Sequence, residues 1–152
     1  MPSTPDLTLL FTALAASCDA AVRARMVEAG HDRVRTVHGY VFQHLLPGPV
    51  RVSDLADLLG MTAQGASKVV AEMERTGYVA RRPDPQDSRA RLVEMTPRGH
   101  EAVDAGRAAR AAVTAELSAD LGPDGDTVIA SLRDLAERTG ALRELMARRL
   151  RP

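Results

Sequence analysis

Apolar residues recur every third or fourth position over 5–29, at Leu7, Leu10, Leu14, Cys18, Val22 and Met26. That spacing places them on one face of a helix, and Gly30 is a natural stop. A second helix is predicted over 32–46 from Val34, Val37, Val41 and Leu45, with Phe42 and Leu46 beside them, and Pro47-Gly48-Pro49 breaks it. Ser53 reads as the N-cap of a short helix over 54–59, with Asp54 in the first turn where the helix dipole favours a negative charge and Gly60 just past the end. Thr62 is a second N-cap; Val69, Val70 and Met73 give its helix an inner side, and Gly77 ends it.

Tyr78 to Arg82 and Ala90 to Met95 then read as two short strands around the polar turn PDPQDS. Thr96-Pro97, a cap followed by proline at the first helical position, opens a long helix to about Leu121. Gly122-Pro123-Asp124-Gly125 is a turn, and a last helix carries Val128, Leu132, Leu135, Thr139, Leu142 and Met146. Their steps alternate between four and three, a heptad-like pattern suited to packing against another chain.

Two short helices, a strand, a charged turn, a strand and a new helix follow the order of a winged helix-turn-helix. The expected fold is therefore mainly α with a small β-wing. A winged helix-turn-helix DNA-binding lobe is assigned to 31–96, and a helical dimerisation region to 1–30 together with 97–152. The helices outside the lobe have narrow apolar stripes and many alanines, so intertwining with a second copy would bury what one chain leaves open. A two-fold homodimer also presents two recognition helices to a palindrome.

Composition narrows the picture. The chain has 152 residues, 45% of them hydrophobic but only 3% aromatic, with no Trp. Its core must be built of Ala, Leu, Val and Met, which suits close-packed helices. Lys+Arg and Asp+Glu are both 20, so a DNA-binding surface must be a local basic patch with the opposite charge elsewhere. Lys68 is the only lysine, so most phosphate contacts would come from arginine, which can fork onto two oxygens. One cysteine, Cys18, excludes an internal disulfide. No unbroken apolar run of the length that spans a bilayer is seen, and the N-terminus has no signal-peptide pattern; a cytoplasmic protein without membrane contact is expected.

The helix opened by Thr62 would be the recognition helix. Its first turns offer Thr62, Gln64, Ser67 and Lys68 to DNA: Gln64 can bond adenine bidentately, Ser67 can serve bases or phosphates, and Lys68 can reach guanine or phosphate. Gly65 is unusual inside a helix; it either permits close approach to DNA or is a tolerated surface glycine. In the wing, Arg89 is the candidate for the minor groove, with Asp87 placed to hold its guanidinium. Arg81, Arg82 and Arg91 would contact phosphates, which position the protein without reading sequence.

The segment LADLLGMTAQGASKVVAEMERTGYVARR, the wing pattern D-x-x-D-x-R at Asp84, Asp87 and Arg89, and L-x-x-x-T-x-x-G at Leu92, Thr96 and Gly99 resemble the MarR family of bacterial transcription regulators. The resemblance implies a dimer joined by the first, fifth and sixth helices, bound to palindromic operators, usually as a repressor. It implies base reading by Thr62, Gln64, Ser67 and Lys68, with Arg89 in the wing. It also implies release of DNA by a small aromatic or phenolic effector in a crevice between the dimer region and the winged lobe. In this chain the first, second and fifth helices would border that crevice, with Cys18, Val22, His38, Tyr40, Phe42 and Met61 as candidate lining.

Other chemistries fit less well. His31, His38, His44 and His100 show no i, i+4 pair, and no cofactor or metal site is expected. G-x-S-x-G, H-E-x-x-H, C-x-x-C and a glycine-rich phosphate loop are all lacking, so no enzyme is expected. Two alternatives share the fold. One is a thiol-based oxidation sensor using Cys18, against which stands its place mid-stripe, where a lone cysteine behaves as a small core residue. The other is a winged helix that contacts protein rather than DNA, against which stand Gln64, Lys68 and Arg89.

Overall fold

The computed structural model describes residues 6–147. Helix α1 (Leu7–Glu28) leads to α2 (Thr36–Leu45), strand β1 (Val50–Arg51), α3 (Val52–Leu59), α4 (Ala63–Arg75), β2 (Val79–Asp84), β3 (Asp87–Met95) and α5 (Pro97–Leu121). A single 3₁₀ turn joins α5 to α6 (Gly125–Arg138), which is followed by α7 (Ala141–Met146). The strands form an antiparallel sheet in the order β1-β3-β2. The expected mainly helical fold with a β-wing is what the chain adopts.

The lobe's core lies between the sheet and four helices. It holds Val41, Phe42 and Leu45 of α2, Leu55 and Leu59 of α3, Val70 and Met73 of α4, and Ala102 and Val103 of α5, closed by Tyr78, Val79 and Val93. Outside it, α1 lies along α5, with Arg25 ion-paired to Glu116 and the Met26 sulfur near the open side of Gly106. Leu7, Leu10, Phe11 and Leu14 on α1, Leu117 and Leu121 on α5, and Leu132 and Leu135 on α6 remain exposed in the single chain.

Several boundaries differ from the sequence reading. The second helix starts at Thr36, not 32, and the Arg35 backbone N–H donates to His38 Nδ1 (3.2 Å) at its entrance. Ser53 is not a cap: α3 starts at Val52 directly out of β1, and the Ser53 hydroxyl donates to Asp54 instead. Strand β1 is too short to announce itself, and it exists because Val50 and Arg51 pair with Val93 and Leu92. The two wing strands reach further than expected, leaving only Pro85 and Gln86 between them. The last helix is broken at Gly140, in the left-handed region at φ 75°, so Leu142 and Met146 sit on a separate helix from Val128, Leu132 and Leu135. The ends of the expected dimerisation region, 1–5 and 148–152, lie outside the described residues. Finally, α1 is long and apolar enough to cross a membrane by length and composition alone, with mean hydropathy 1.4. Asp19 and Arg23 interrupt it, so it is not the unbroken apolar run expected of a bilayer span.

Candidate nucleic-acid interface

Helix α4 begins where Thr62 leaves extended backbone and its Oγ1 accepts the Gly65 N–H (3.1 Å). Its inner side, Ala66, Val70 and Met73, is buried. Gln64, Ser67 and Lys68 are therefore displayed outward at helical spacing, and all are exposed. Gly65 has a local role that the sequence reading did not weigh. A Cβ there would stand 3.1 Å from the Met61 terminal methyl and 3.2 Å from Thr62 Oγ1, so the glycine leaves room for the cap and its flanking methionine.

The wing is held by its two aspartates. Asp84 is buried; one carboxylate oxygen accepts the Gln86 backbone N–H (2.9 Å) and the other accepts Arg51 Nε (2.7 Å) and a terminal Arg51 nitrogen (2.5 Å). The Gln86 amide, joined by the Arg51 cation, holds the Asp84 carboxyl below the usual carboxylate range. Asp87 Oδ1 accepts the backbone N–H of Arg89 (3.0 Å). It therefore shapes the turn rather than holding the Arg89 guanidinium, as the sequence reading expected. The Arg89 side chain projects from the wing, exposed.

The other wing arginines divide by strand parity. Arg81 pairs across the ladder with buried Val93, so it points towards α4, whereas Arg82 pairs with Leu92 and points to the opposite face. Arg81 donates to the Ser67 carbonyl (3.3 Å) and lies 3.6 Å from Glu74; its Nε is buried with no hydrogen-bond partner among the described residues. Arg82 is ion-paired to Glu94 (2.7 Å). Its ladder pairing sets it beside Leu92 and Arg51 rather than beside Arg81. Arg91 is exposed, and among the described residues Lys68, Arg89 and Arg91 have no carboxylate within ion-pair distance.

A cleft of about 360 Å³ opens between α3, α4 and the strands, lined by Arg51, Ser53, Ser67, Arg81 and Arg91, with Val52 and Ala90 as apolar wall. The structure thus gathers Ser67, Arg81 and Arg91 with two residues that sequence reasoning missed, Arg51 and Ser53. Arg51 meets Asp84 only through folding, 33 positions apart, and no local spacing signals that pair.

The effector candidates are spread over the lobe and α1. His38 is fully buried and Phe42 nearly so, packed edge-on to Tyr78. His38 Nε2 lies 3.8 Å from Glu72, which is also ion-paired to Arg35. Burial, and then the Arg35 cation, push His38 below the ordinary imidazole range against the opposing pull of Glu72. Met61 packs beside the core at the start of α4, and Cys18, Val22 and Tyr40 are half-buried. His38 and Phe42 are closed off in the core, whereas Cys18, Val22, Tyr40 and Met61 keep partial surface of the kind a crevice needs.

The lobe is joined to α5 through Tyr78. Its hydroxyl and His31 Nδ1 hydrogen-bond at 3.2 Å, and the Arg98 guanidinium lies 5.0 Å from its ring centre while donating to the Gly30 carbonyl (3.1 Å). The Thr96 hydroxyl donates to the Gly77 carbonyl (2.6 Å) and accepts the Gly99 N–H (3.1 Å).

Residues 35–90 match the model of the MarR family. Over 48 residues, 32% of this chain, the sequence is 46% identical to the transcriptional activatory protein BadR of Rhodopseudomonas palustris; the match spans 27% of BadR's length. The fold is similar to the YusO protein of Bacillus subtilis (TM-score 0.73, 19% identity, 88% of this chain and 93% of that one). It is also similar to transcriptional regulator Tm0710 of Thermotoga maritima (0.62, 23%, 88% and 96%). A third similar structure is an S. aureus MepR mutant bound to an oligodeoxyribonucleotide (0.66, 18%, 91% and 99%). BadR and Tm0710 are named as regulators, not enzymes.

Proposed function

We propose, from the match of residues 35–90 to the MarR family, that the chain is a sequence-specific, double-stranded-DNA-binding transcription regulator acting as a homodimer on a palindromic operator, as a repressor. The observation that supports this reading is that Gln64, Ser67 and Lys68 are exposed on α4 and Arg89 and Arg91 on the wing strand, with Ser67 and Arg91 lining one cleft and, among the described residues, no carboxylate within ion-pair distance of Lys68, Arg89 or Arg91. In a chain of zero net charge, exposed cations of this kind are what a local DNA-binding patch requires.

The dimer would form through the helices outside the lobe, within 1–30 and 97–152, where α1, α5 and α6 leave leucines exposed. A small aromatic or phenolic effector at the partly exposed candidates Cys18, Val22, Tyr40 and Met61 would act by preferring a lobe spacing that no longer matches the groove repeat. A second reading, activation, is favoured by the 48-residue match to BadR, which is named a transcriptional activatory protein.

The test is duplex binding across a salt series with wild type and Arg89→Ala. The variant should bind more weakly and with a shallower salt dependence, because each lost contact releases fewer counterions. Unchanged affinity and slope would remove the wing from the interface. A promoter reporter then separates the two signs: deletion of the regulator raises expression under repression and lowers it under activation.

A further inference from the structure

Lys68, the chain's only lysine, stands exposed on α4 with no carboxylate within ion-pair distance among the described residues. Its own helix offers it one. Side chains three and four residues apart on a helix meet, and of Gln64, Gly65, Ala71 and Glu72 only Glu72 is acidic. Yet both oxygens of Glu72 are turned towards α2. Oε2 is ion-paired to a terminal nitrogen of Arg35, the N-cap of α2, and Oε1 lies 3.8 Å from Nε2 of the buried His38. Resting on the reading of α4 as the DNA-binding helix, we propose that Arg35 is a positioning residue for that binding: by holding Glu72 against α2, it keeps the Lys68 ammonium free to meet DNA.

Two cations compete for one carboxylate, and the chemistry decides for Arg35. A guanidinium is a pre-organised planar fork, whereas an ammonium on a flexible stem loses more freedom for each bond it makes. Lysine before glutamate is also the weaker order for a pair four residues apart on a helix. The hold comes from 37 positions away in sequence, so only the folded lobe supplies it. The other acidic residue of α4 is treated alike: Glu74 lies 3.6 Å from Arg81 of β2, which also donates to the Ser67 carbonyl. Each carboxylate of α4 is thus met by an arginine from another element, while Gln64, Ser67 and Lys68 stay exposed. Without Arg35, Glu72 is released and can swing along the helix to capture Lys68.

The test is a double-mutant cycle on the full chain with a random-sequence duplex about three helical turns long. Wild type, Arg35→Ala, Lys68→Ala and the double variant are compared at one near-physiological salt concentration. Arg35→Ala should weaken binding about twofold to threefold when Lys68 is present and distinctly less when it is absent, because a pair four residues apart sequesters only part of the lysine population. Adding Glu72→Gln to Arg35→Ala should restore the loss. Without DNA, acylation of Lys68 by an amine-selective reagent, followed by peptide mass spectrometry, should slow in Arg35→Ala and recover with Glu72→Gln. Arg35→Met, which keeps the aliphatic length, takes the place of Arg35→Ala if that variant does not fold. An equal loss with and without Lys68 would make Arg35 a direct DNA contact or a bulk charge; that result, no loss at all, or unchanged acylation overturns the proposal while the DNA reading stands. If wild type binds no duplex at any salt, the DNA reading falls and the proposal with it.

Discussion

The backbone carbonyl oxygen of Tyr78 lies 2.3 Å from where a Cβ on Gly99 would stand. The first turn of α5 therefore sits directly on the strand entrance of the winged lobe, at a distance only glycine allows. The same carbonyl accepts the Thr96 N–H (3.1 Å), so neither side can withdraw without losing a bond. Gly99→Ala should cost about 3 kcal/mol or more, since the obstacle is backbone and cannot rotate away. Urea unfolding measures this; a loss below about 1 kcal/mol would mean that α5 shifts freely on the lobe.

Stability should also fall on mild acidification. His31 and His38 are both held below the ordinary imidazole value of 6.5, chiefly by burial and then by Arg98 and Arg35 respectively, against the opposing Glu101 and Glu72. The unfolded chain therefore takes up protons before the folded chain does as pH drops below 6.5. The contribution is complete above that pH and is lost as pH falls towards the folded values. Unfolding at about pH 7.5 and about pH 5.5 should show this loss in wild type and less of it in His31→Gln/His38→Gln. Equal losses in both proteins would place the effect elsewhere.

The wing should depend on Asp84 through geometry rather than charge. Asp84→Asn keeps an acceptor for the Gln86 N–H but releases Arg51 from its ion pair. Weaker DNA binding is expected despite the gain of one positive charge, because Arg51 and the turn lose their fixed pose. Tighter binding would mean that bulk charge outweighs positioning here.

The exposed leucines of α6 make the oligomeric state testable. Leu132→Asp with Leu135→Asp places two carboxylates on a face that is 41% and 36% exposed in the single chain at those residues. A solvent-facing surface tolerates the change, whereas a dimer interface does not. Sedimentation velocity should show a wild-type dimer and a monomeric variant. A monomeric wild type at micromolar concentration would overturn the proposed assembly.

What the sequence reveals here is local. Thr62 and Thr96-Pro97 announce helix starts because caps act within three residues, and both accept the expected backbone N–H. Ser53 misleads because the start of α3 is set by a strand whose partners, Val93 and Leu92, are distant in sequence. The even spacing from Val128 to Met146 hides a break that only the positive φ of Gly140 makes. At the candidate interface, Lys68 and Arg89 are legible as cations in a motif. Asp87 turns out to bond two residues ahead to backbone, the ordinary habit of aspartate in turns. Arg51 is illegible from spacing because its partner Asp84 reaches it only through the folded sheet.

Base reading by Gln64 has its own signature. Gln64→Ala should cost about 1 to 3 kcal/mol on the chain's preferred duplex and little on random sequence. Equal loss on both would make Gln64 a backbone contact.

The central claim, a dimeric reader of DNA sequence, is tested most directly by selecting from a random duplex library at near-physiological salt and sequencing what is retained. The account predicts enrichment of a palindrome whose half-sites lie about one helical turn apart. Retention of no sequence by folded, dimeric protein would contradict it.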